Sequence, residues 1–360
     1  MAAMIFVGLL ILALAWVNGA NDVSKGVATL TGGGVANARR AIWWGTFCTM
    51  LGGLAALTWG GALVSTFSNG FLASGFPVSL TFVAGVAAGA AGWVFAATRL
   101  GLPVSTTHAL LGGVVGAALV IAGPDGLRTA AVANKALLPL LVSPLIAIAL
   151  CWCLLLIARF VEKKIPAWSP GCCERADWQK NPFICADSAE QPPSLWVRRV
   201  WIGLHWLSSG ATSFARGLND VPKIAAFLIL ALTLAPEALR NAGAEAIWPI
   251  IAVTLVMGMG SVWGGRRVLN VLAHRVTPMD TRTGLVANVG TSFLVLAATP
   301  LGLPVSTTHV STGALMGIRW GEGVKPDQAD ALKLILFGWV VTLPVAALLS
   351  ATAVWLSRWV

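Results

Sequence analysis

The nine-residue stretch Leu100–His108, LGLPVSTTH, occurs a second time without a change at Leu301–His309. Each copy lies in apolar sequence, and each is preceded by a second pair of similar motifs. These read GANDVSK at Gly19–Lys25 and GLNDVPK at Gly217–Lys223. Because two polar motifs recur in the same order, the chain is predicted to consist of two copies of one unit.

The composition is typical of a protein embedded in a lipid bilayer. Of the 360 residues, 57% are hydrophobic and 11% are charged, and the mean hydropathy is +0.81. Soluble domains carry about 25% charged residues. The net charge of +10 does not indicate nucleic-acid binding, because Lys and Arg cluster in loops between apolar segments. We therefore predict an all-α integral membrane protein with no nucleic-acid partner.

Ten apolar segments, five in each half, are long enough to cross or enter a membrane. They predict a first transmembrane repeat at 1–160, a polar linker at 161–197 and a second repeat at 198–360. An odd number of crossings turns the second copy upside down, which predicts an inverted-topology repeat with its site at the membrane midplane. The segments are approximately 4–31, 41–64, 78–98, 103–122, 136–160, 201–234, 246–263, 284–299, 304–318 and 332–357.

The sequence does not decide whether the third and fourth segments of each half cross the membrane. The third and fourth segments of each half either cross the membrane or form a re-entrant hairpin; both give an odd number of crossings.

Lys and Arg concentrate in alternate connections between the segments, including the linker. The side of the membrane on which these connections lie is therefore predicted to be cytoplasmic, and both termini are predicted to be extracytoplasmic. The linker thiols lack a fourth metal ligand and are interpreted as plain thiols. They are Cys172, Cys173 and Cys185.

Each copy of the nonapeptide is predicted to begin a helix inside the membrane. Pro103 lacks an N–H and suits the first turn of a helix, and an apolar run follows His108. The N-terminus of a helix carries partial positive charge and free N–H donors, which favour anions. Hydroxyl side chains at both helix starts therefore indicate a site for a compact oxyanion. They belong to Ser105, Thr106, Thr107, Ser306, Thr307 and Thr308.

Charged side chains lie at matching points in the two preceding segments. Asp22 and Lys25 share one helix face, as do Arg216, Asp220 and Lys223. Three cations thus accompany two carboxylates, and the net positive charge favours an anion as ligand. If the chain is locally unwound here, oxygen atoms of the two Asn-Asp pairs could also bind a hard cation such as Na⁺. These pairs are Asn21 with Asp22 and Asn219 with Asp220.

Over essentially its whole length, the chain resembles the inorganic phosphate transporter (PiT) family. The resemblance rests on GANDVSK, FARGLNDVPK and the paired GLPVSTTH motifs. It implies secondary transport of inorganic phosphate across the cell (inner) membrane, coupled to Na⁺ or H⁺, an inverted repeat and a homodimer. Because the sequence contains no cofactor motif, no cofactor is expected. The resemblance assigns the Asn-Asp pairs to the coupling cations and to phosphate, and the hydroxyl residues to phosphate.

Two departures from the family pattern place fixed cations near the expected site. Lys25 stands where many members have Asn, and Arg216-Gly217-Leu218 stands where many have His-Gly-Ala. We therefore group Lys25, Arg216 and Lys223 with the phosphate-binding residues. We also hypothesise that Lys25 or Arg216 replaces one coupling ion, because either cation can balance phosphate charge.

Three other functions fit parts of the pattern. Sulfate or another tetrahedral oxyanion would use the same hydroxyl and N–H donors. An intramembrane enzyme would use Ser105 or Ser306 as nucleophile with a nearby histidine as base, although catalytic groups rarely occur twice in symmetric positions. A passive channel is disfavoured by charged, broken segments in both halves.

His108 and His309, which end the two nonapeptides, are either hydrogen-bonded core residues or proton carriers.

Overall fold

The computed structural model describes residues 1–165, 195–235, 247–276, 279–320 and 326–359. The linker cysteines and most of the predicted linker lie outside these ranges. Within them the regular structure is helical, apart from an isolated bridge between Leu72 and Leu127. The main helices are α1 (Ala2–Gly32), α2 (Ala38–Trp59), α3 (Leu80–Leu100), α4 (Thr106–Ala122), α5 (Leu138–Lys164), α6 (Leu195–Thr233), α7 (Ile247–Gly264), α8 (Arg266–His274), α9 (Thr281–Ala298), α10 (Thr307–Gly317) and α11 (Pro326–Leu356).

The prediction of an all-α membrane protein is confirmed. Each of the ten apolar segments contains one main helix, and six helical stretches in the described ranges are long and apolar enough to cross a membrane. Those six are α1, α2, α3, α7, Thr129–Lys164, which includes α5, and Gln328–Leu356 in α11. The sequence analysis missed α8, because its amphipathic nine residues are too short and too polar to stand out as an apolar segment.

The two nonapeptide copies break the helical path in the same way. Gly101 and Gly302 have φ angles of 75° and 66°, in the left-handed region that favours glycine. The chain then runs without helix to Ser105 and Ser306, where α4 and α10 begin. Both serines are buried, so each helix starts inside the protein. At 1.5 Å per residue, the 11 residues of α10 reach about 17 Å, short of the ~30 Å hydrocarbon core.

Equivalent glycines bring the two repeats into close backbone contact. A Cβ on Gly19 in α1 would lie 2.0 Å from the carbonyl oxygen of Met257 in α7. In the other repeat, a Cβ on Gly217 in α6 would lie 2.1 Å from the carbonyl oxygen of Thr49 in α2. Helix α4 packs in the same reciprocal manner on α11, and α10 packs on α5. Corresponding helices thus exchange contacts, and small residues permit the close approach.

The apolar core is divided into clusters along these helices. The larger cluster contains the first half of α1, with Val7, Ile11 and Leu14, and the last part of α6, with Phe227 and Leu230. A second cluster surrounds the last half of α1 and includes buried residues of α8. Along α1, the buried polar residues Asn18, Asn21 and Asp22 lie between the residues of the two clusters.

The close glycine contacts make a stability prediction. Gly52→Ala would place a Cβ 2.0 Å from the Phe214 carbonyl oxygen, and Gly260→Ala would place one 2.0 Å from the Trp16 carbonyl oxygen. Because the clash is with backbone, we expect each change to lower the free energy of unfolding by about 1–3 kcal/mol. Thermal unfolding in detergent measures this. Gly8→Ala, which meets nothing within 4 Å, serves as the control. Equal melting temperatures for all three variants would contradict the packing.

Candidate functional site

Five charged side chains are buried together where the two repeats meet. In the described part of the chain, these are the only Asp, Glu, Lys or Arg residues in the buried class, and each is at most 4% exposed. Two come from α1 and three from α6. The sequence analysis predicted this set from motif position alone. The residues are Asp22, Lys25, Arg216, Asp220 and Lys223.

In the first repeat, the ammonium group of Lys25 connects α1 to the non-helical residues 101–105, which we call the broken segment of that repeat; residues 302–306 form the broken segment of the other. It forms an ion pair with Asp22 and donates a hydrogen bond to the Val104 carbonyl oxygen at 3.1 Å. Thr308, from the other repeat, donates to the same carbonyl at 2.8 Å. Asn18 donates to Asp22 at 3.3 Å. The Asp22 carboxylate is therefore held by a cation and an amide, both on its own helix.

The second repeat forms the equivalent arrangement around Lys223. Its Nζ lies 3.4 Å from Asp220 Oδ1 and donates to the Val305 carbonyl oxygen at 3.0 Å. It also donates to Thr107 Oγ1 of the first repeat at 2.8 Å. Thr107 in turn donates to Val305 at 3.3 Å. Each repeat thus contributes one threonine to the broken segment of the other, and the two half-sites form one cluster.

The asparagines of the two Asn-Asp pairs hold the broken segments in place. Asn21 donates to the Leu102 carbonyl oxygen at 2.9 Å and accepts from the Val104 N–H at 3.2 Å. Asn219 donates to the Val305 carbonyl oxygen at 3.3 Å. Their side chains are thus occupied by protein groups. The two Asn-Asp pairs lie in continuous helices, so the local unwinding considered from the sequence is seen instead at the nonapeptides.

The hydroxyl residues have different surroundings. Ser105 and Ser306 are helix caps, because their Oγ atoms accept from the N–H groups of His108 and His309. Thr106 accepts from Asn18 at 2.9 Å. Thr107 and Thr308 link the repeats, and the buried Thr307 lies beside Thr308 in the first turn of α10. All six predicted residues therefore lie at the two helix starts.

The histidines of the two motifs meet across the repeat interface. The rings of His108 and His309 have centroids 4.4 Å apart. His108 Nδ1 lies 2.8 Å from Ser105 Oγ, whereas His309 Nδ1 lies 3.3 Å from the Leu140 carbonyl oxygen. The serine–histidine contact within the cap of α4 is therefore not repeated in α10. Both histidines are hydrogen-bonded in the interior.

Arg216 leaves most of its hydrogen-bonding capacity unused. It is 1% exposed, and its Nη2 donates to Thr49 Oγ1 at 2.9 Å. Its Nε and Nη1 atoms have no hydrogen-bond partner among the described residues. The equivalent position in the first repeat is Asn18, whose Oδ1 atom also lacks a partner there. Asp220 Oδ2 is a further buried atom without a hydrogen-bond partner in the described ranges. The cluster thus offers unpaired donors and acceptors.

The sequence analysis missed several members of this cluster. Asn18 and Thr49 were missed because each lies outside the repeated motifs. Thr98 and Thr299 contact Asn21 and Asn219 respectively. These two threonines have a sequence signal, because Ala-Thr precedes both nonapeptides by one residue and extends the repeat. A longer comparison of the two copies would have found them.

Polar side chains continue from the cluster beside Lys25. A cavity of about 10 Å³, with room for about one water, is lined by Lys25, Thr29, Asn288 and others. Asn288 donates to Thr29 at 2.9 Å and to Ser208 at 3.3 Å. The position in α6 that is equivalent to Thr29 is occupied by buried Phe227. The two equivalent positions thus differ, because Thr29 lies among polar groups and Phe227 belongs to the apolar core.

The ion pair of the second repeat gives a test of the buried charges. Asp220→Asn leaves the Lys223 ammonium buried without a counterion, and we expect a loss of about 3–5 kcal/mol in the free energy of unfolding. Adding Lys223→Met should recover part of that loss, because the uncompensated charge is removed. Thermal unfolding of both variants measures the difference. Asp330→Asn, in an exposed pair with Lys333, is the control and should change nothing measurable. A double variant no more stable than Asp220→Asn would contradict the pairing.

Comparison with known proteins shows that nearly the full length of the chain is similar to phosphate transporters. The sequence model of the phosphate transporter family matches residues 18–350. A protein of Rhizobium meliloti (strain 1021), named "Probable low-affinity inorganic phosphate transporter", is 27% identical, covering 96% of this chain and 95% of the relative. A Mycobacterium leprae protein of the same name is 24% identical, covering 98% of this chain and 78% of the relative.

The fold also matches a solved structure. The protein named "The sodium-dependent phosphate transporter" superposes with a TM-score of 0.82 at 22% identity, and all of both chains is covered. This likeness establishes the fold, and the family match establishes the kind of protein, because it spans most of the sequence. The prediction that the chain is not an enzyme is confirmed, since the family and these relatives are named as transporters. The chain is a multi-pass membrane protein that belongs to the phosphate transporter family.

Proposed function

We propose that the chain is a secondary active transporter that carries inorganic phosphate across the cell (inner) membrane together with Na⁺ or H⁺. The observation that carries this proposal is the buried Arg216 guanidinium, whose Nε and Nη1 atoms have no protein partner in the described structure. Buried N–H donors without a partner are costly, about 1–3 kcal/mol each and more on a charged group. A bound oxyanion would remove this cost.

The geometry of arginine suits a tetrahedral oxyanion. Two parallel N–H groups of a guanidinium can bind two oxygen atoms of one phosphate. The buried cluster has three cations and two carboxylates, so its charge also favours an anion. The starts of α4 and α10 add partial positive charge from both repeats. We place the phosphate between Arg216 and these helix starts.

The unpaired carboxylate oxygen favours phosphate over sulfate. Asp220 Oδ2 is buried and accepts no hydrogen bond from the described residues. HPO₄²⁻ carries a proton that it can donate to this oxygen, whereas sulfate has no such proton at neutral pH. The names of the relatives support the same substrate. Transport of sulfate by the same fold is the alternative, because hydroxyl and N–H donors do not separate the two anions.

The paired contacts of the repeats support alternating access. Reciprocal packing of α1 on α7 and of α2 on α6 is the pattern expected of an inverted repeat, which rocks around a fixed central site. We propose the repeats at 1–160 and 198–360, with the 161–197 linker cytoplasmic and both termini extracytoplasmic. A homodimer is proposed from the family resemblance. The sodium-dependent neighbour supports Na⁺ as one candidate ion.

Phosphate uptake into proteoliposomes tests the proposal. We expect saturable uptake that follows an imposed Na⁺ or pH gradient and resists excess sulfate. Arg216→Gln should reduce uptake by at least about 100-fold, because a buried charge-assisted contact contributes roughly 3 kcal/mol. Arg216→Lys should recover little, since lysine cannot bind two oxygen atoms in parallel.

The matched control is Arg128→Gln. Arg128 is exposed, donates to the exposed Ser74 and is not one of the buried charged residues. It should transport like the wild type. Uptake abolished by sulfate would favour the general oxyanion transporter. Normal uptake by Arg216→Gln would contradict the assignment of phosphate to this arginine.

A further inference from the structure

The two buried ammonium groups have surroundings made of oxygen atoms. Lys223 Nζ contacts the Asp220 carboxylate, the Val305 carbonyl at 3.0 Å and the Thr107 hydroxyl at 2.8 Å. Lys25 Nζ contacts the Asp22 carboxylate and the Val104 carbonyl at 3.1 Å. A carboxylate and a carbonyl from the non-helical part of a broken segment thus surround the charge in both repeats.

Oxygen atoms of these kinds are the preferred ligands of hard cations such as Na⁺. Transporters with broken helices bind coupling cations at carbonyls exposed where the helix is interrupted. Val104 and Val305 are at such interruptions, directly before the caps of α4 and α10. Each lysine therefore places a covalently attached cation among oxygen atoms that would otherwise suit a mobile one.

The alternative explanation for each buried lysine is an ion pair whose only role is to neutralise a buried carboxylate. Such a pair needs contact between the ammonium and the carboxylate alone. Here both lysines also reach a backbone carbonyl in the nonapeptide, and Lys223 reaches Thr107 of the other repeat. The ammonium groups thus connect the same elements that a coupling ion would have to connect.

The charge of the cluster leads to the same conclusion. Three cations and two carboxylates give a net charge of plus one, and HPO₄²⁻ changes it to minus one, so one proton restores neutrality. Without the two lysines the loaded cluster would carry minus three. Mobile cations would then be needed for burial in a medium of low dielectric constant.

We propose that the ammonium groups of Lys25 and Lys223 occupy the coupling-cation positions of this site, so that phosphate transport requires no Na⁺ and is coupled to H⁺. The inference rests on the proposed function and specifies its coupling ion. It sets this chain apart from its structural neighbour, which is named as a sodium-dependent transporter. The substitution of each lysine should then create a need for Na⁺.

The test compares phosphate uptake in NaCl with uptake in choline chloride, at equal ionic strength and a fixed pH gradient. The wild type should show the same rate in both salts. Lys25→Asn and Lys223→Asn should be slow in choline and stimulated by Na⁺ by about 5- to 150-fold, the usual range of coupling between two ligands. Lys333→Asn, at an exposed ion pair, should behave like the wild type.

Binding of radioactive sodium to the purified full-length protein gives a second readout. The wild type should bind no Na⁺ with phosphate present, whereas Lys25→Asn should bind it and gain thermal stability from it. Na⁺-dependent uptake or Na⁺ binding by the wild type would overturn the inference without any variant. A folded Lys25→Asn or Lys223→Asn protein that binds phosphate but not Na⁺ would also overturn it. Absence of wild-type phosphate uptake under every gradient would instead contradict the proposed function.

Discussion

The contact between two buried ammonium groups and the carbonyls of two broken segments organises this protein. Val104 and Val305 lie where the chain has left one helix and not begun the next, so their carbonyl oxygens need partners in the interior. Lys25 and Lys223 supply these partners, while Thr308 and Thr107 cross between the repeats to the same oxygens. The interruption of the helices, the burial of charge and the contact between repeats are thus one feature.

The two repeats differ at positions that set the charge of the site and the polarity of its surroundings. Arg216 and Asn18 precede equivalent glycines, yet one side chain is a cation and the other an amide. Thr29 and Phe227 are equivalent too; Thr29 lines a small cavity beside Lys25, whereas Phe227 belongs to the apolar core. A site built from two copies can therefore hold a single anion off its symmetry axis and present it to different surroundings on its two sides.

Much of this could be predicted from the sequence, because an exact nonapeptide repeat and charges in apolar segments have few explanations. The helices, the charged cluster and the hydroxyl residues at the helix starts followed from those patterns. The sequence could not show that Asn21 would hold backbone groups, or that Arg216 would keep unpaired N–H groups, because both depend on how helices pack. It also missed α8, whose polar face conceals its buried Val268 and Leu272.

The central claim is that Arg216 binds the transported anion at the starts of α4 and α10. The most direct test is a crystal structure of the full-length protein with arsenate, whose arsenic atom can be located by anomalous scattering. We predict one strong peak per chain, with arsenate oxygens about 2.7–2.9 Å from Nε and Nη1 of Arg216. A peak elsewhere in the protein, with Arg216 still unpaired or turned to a carboxylate, would contradict the account.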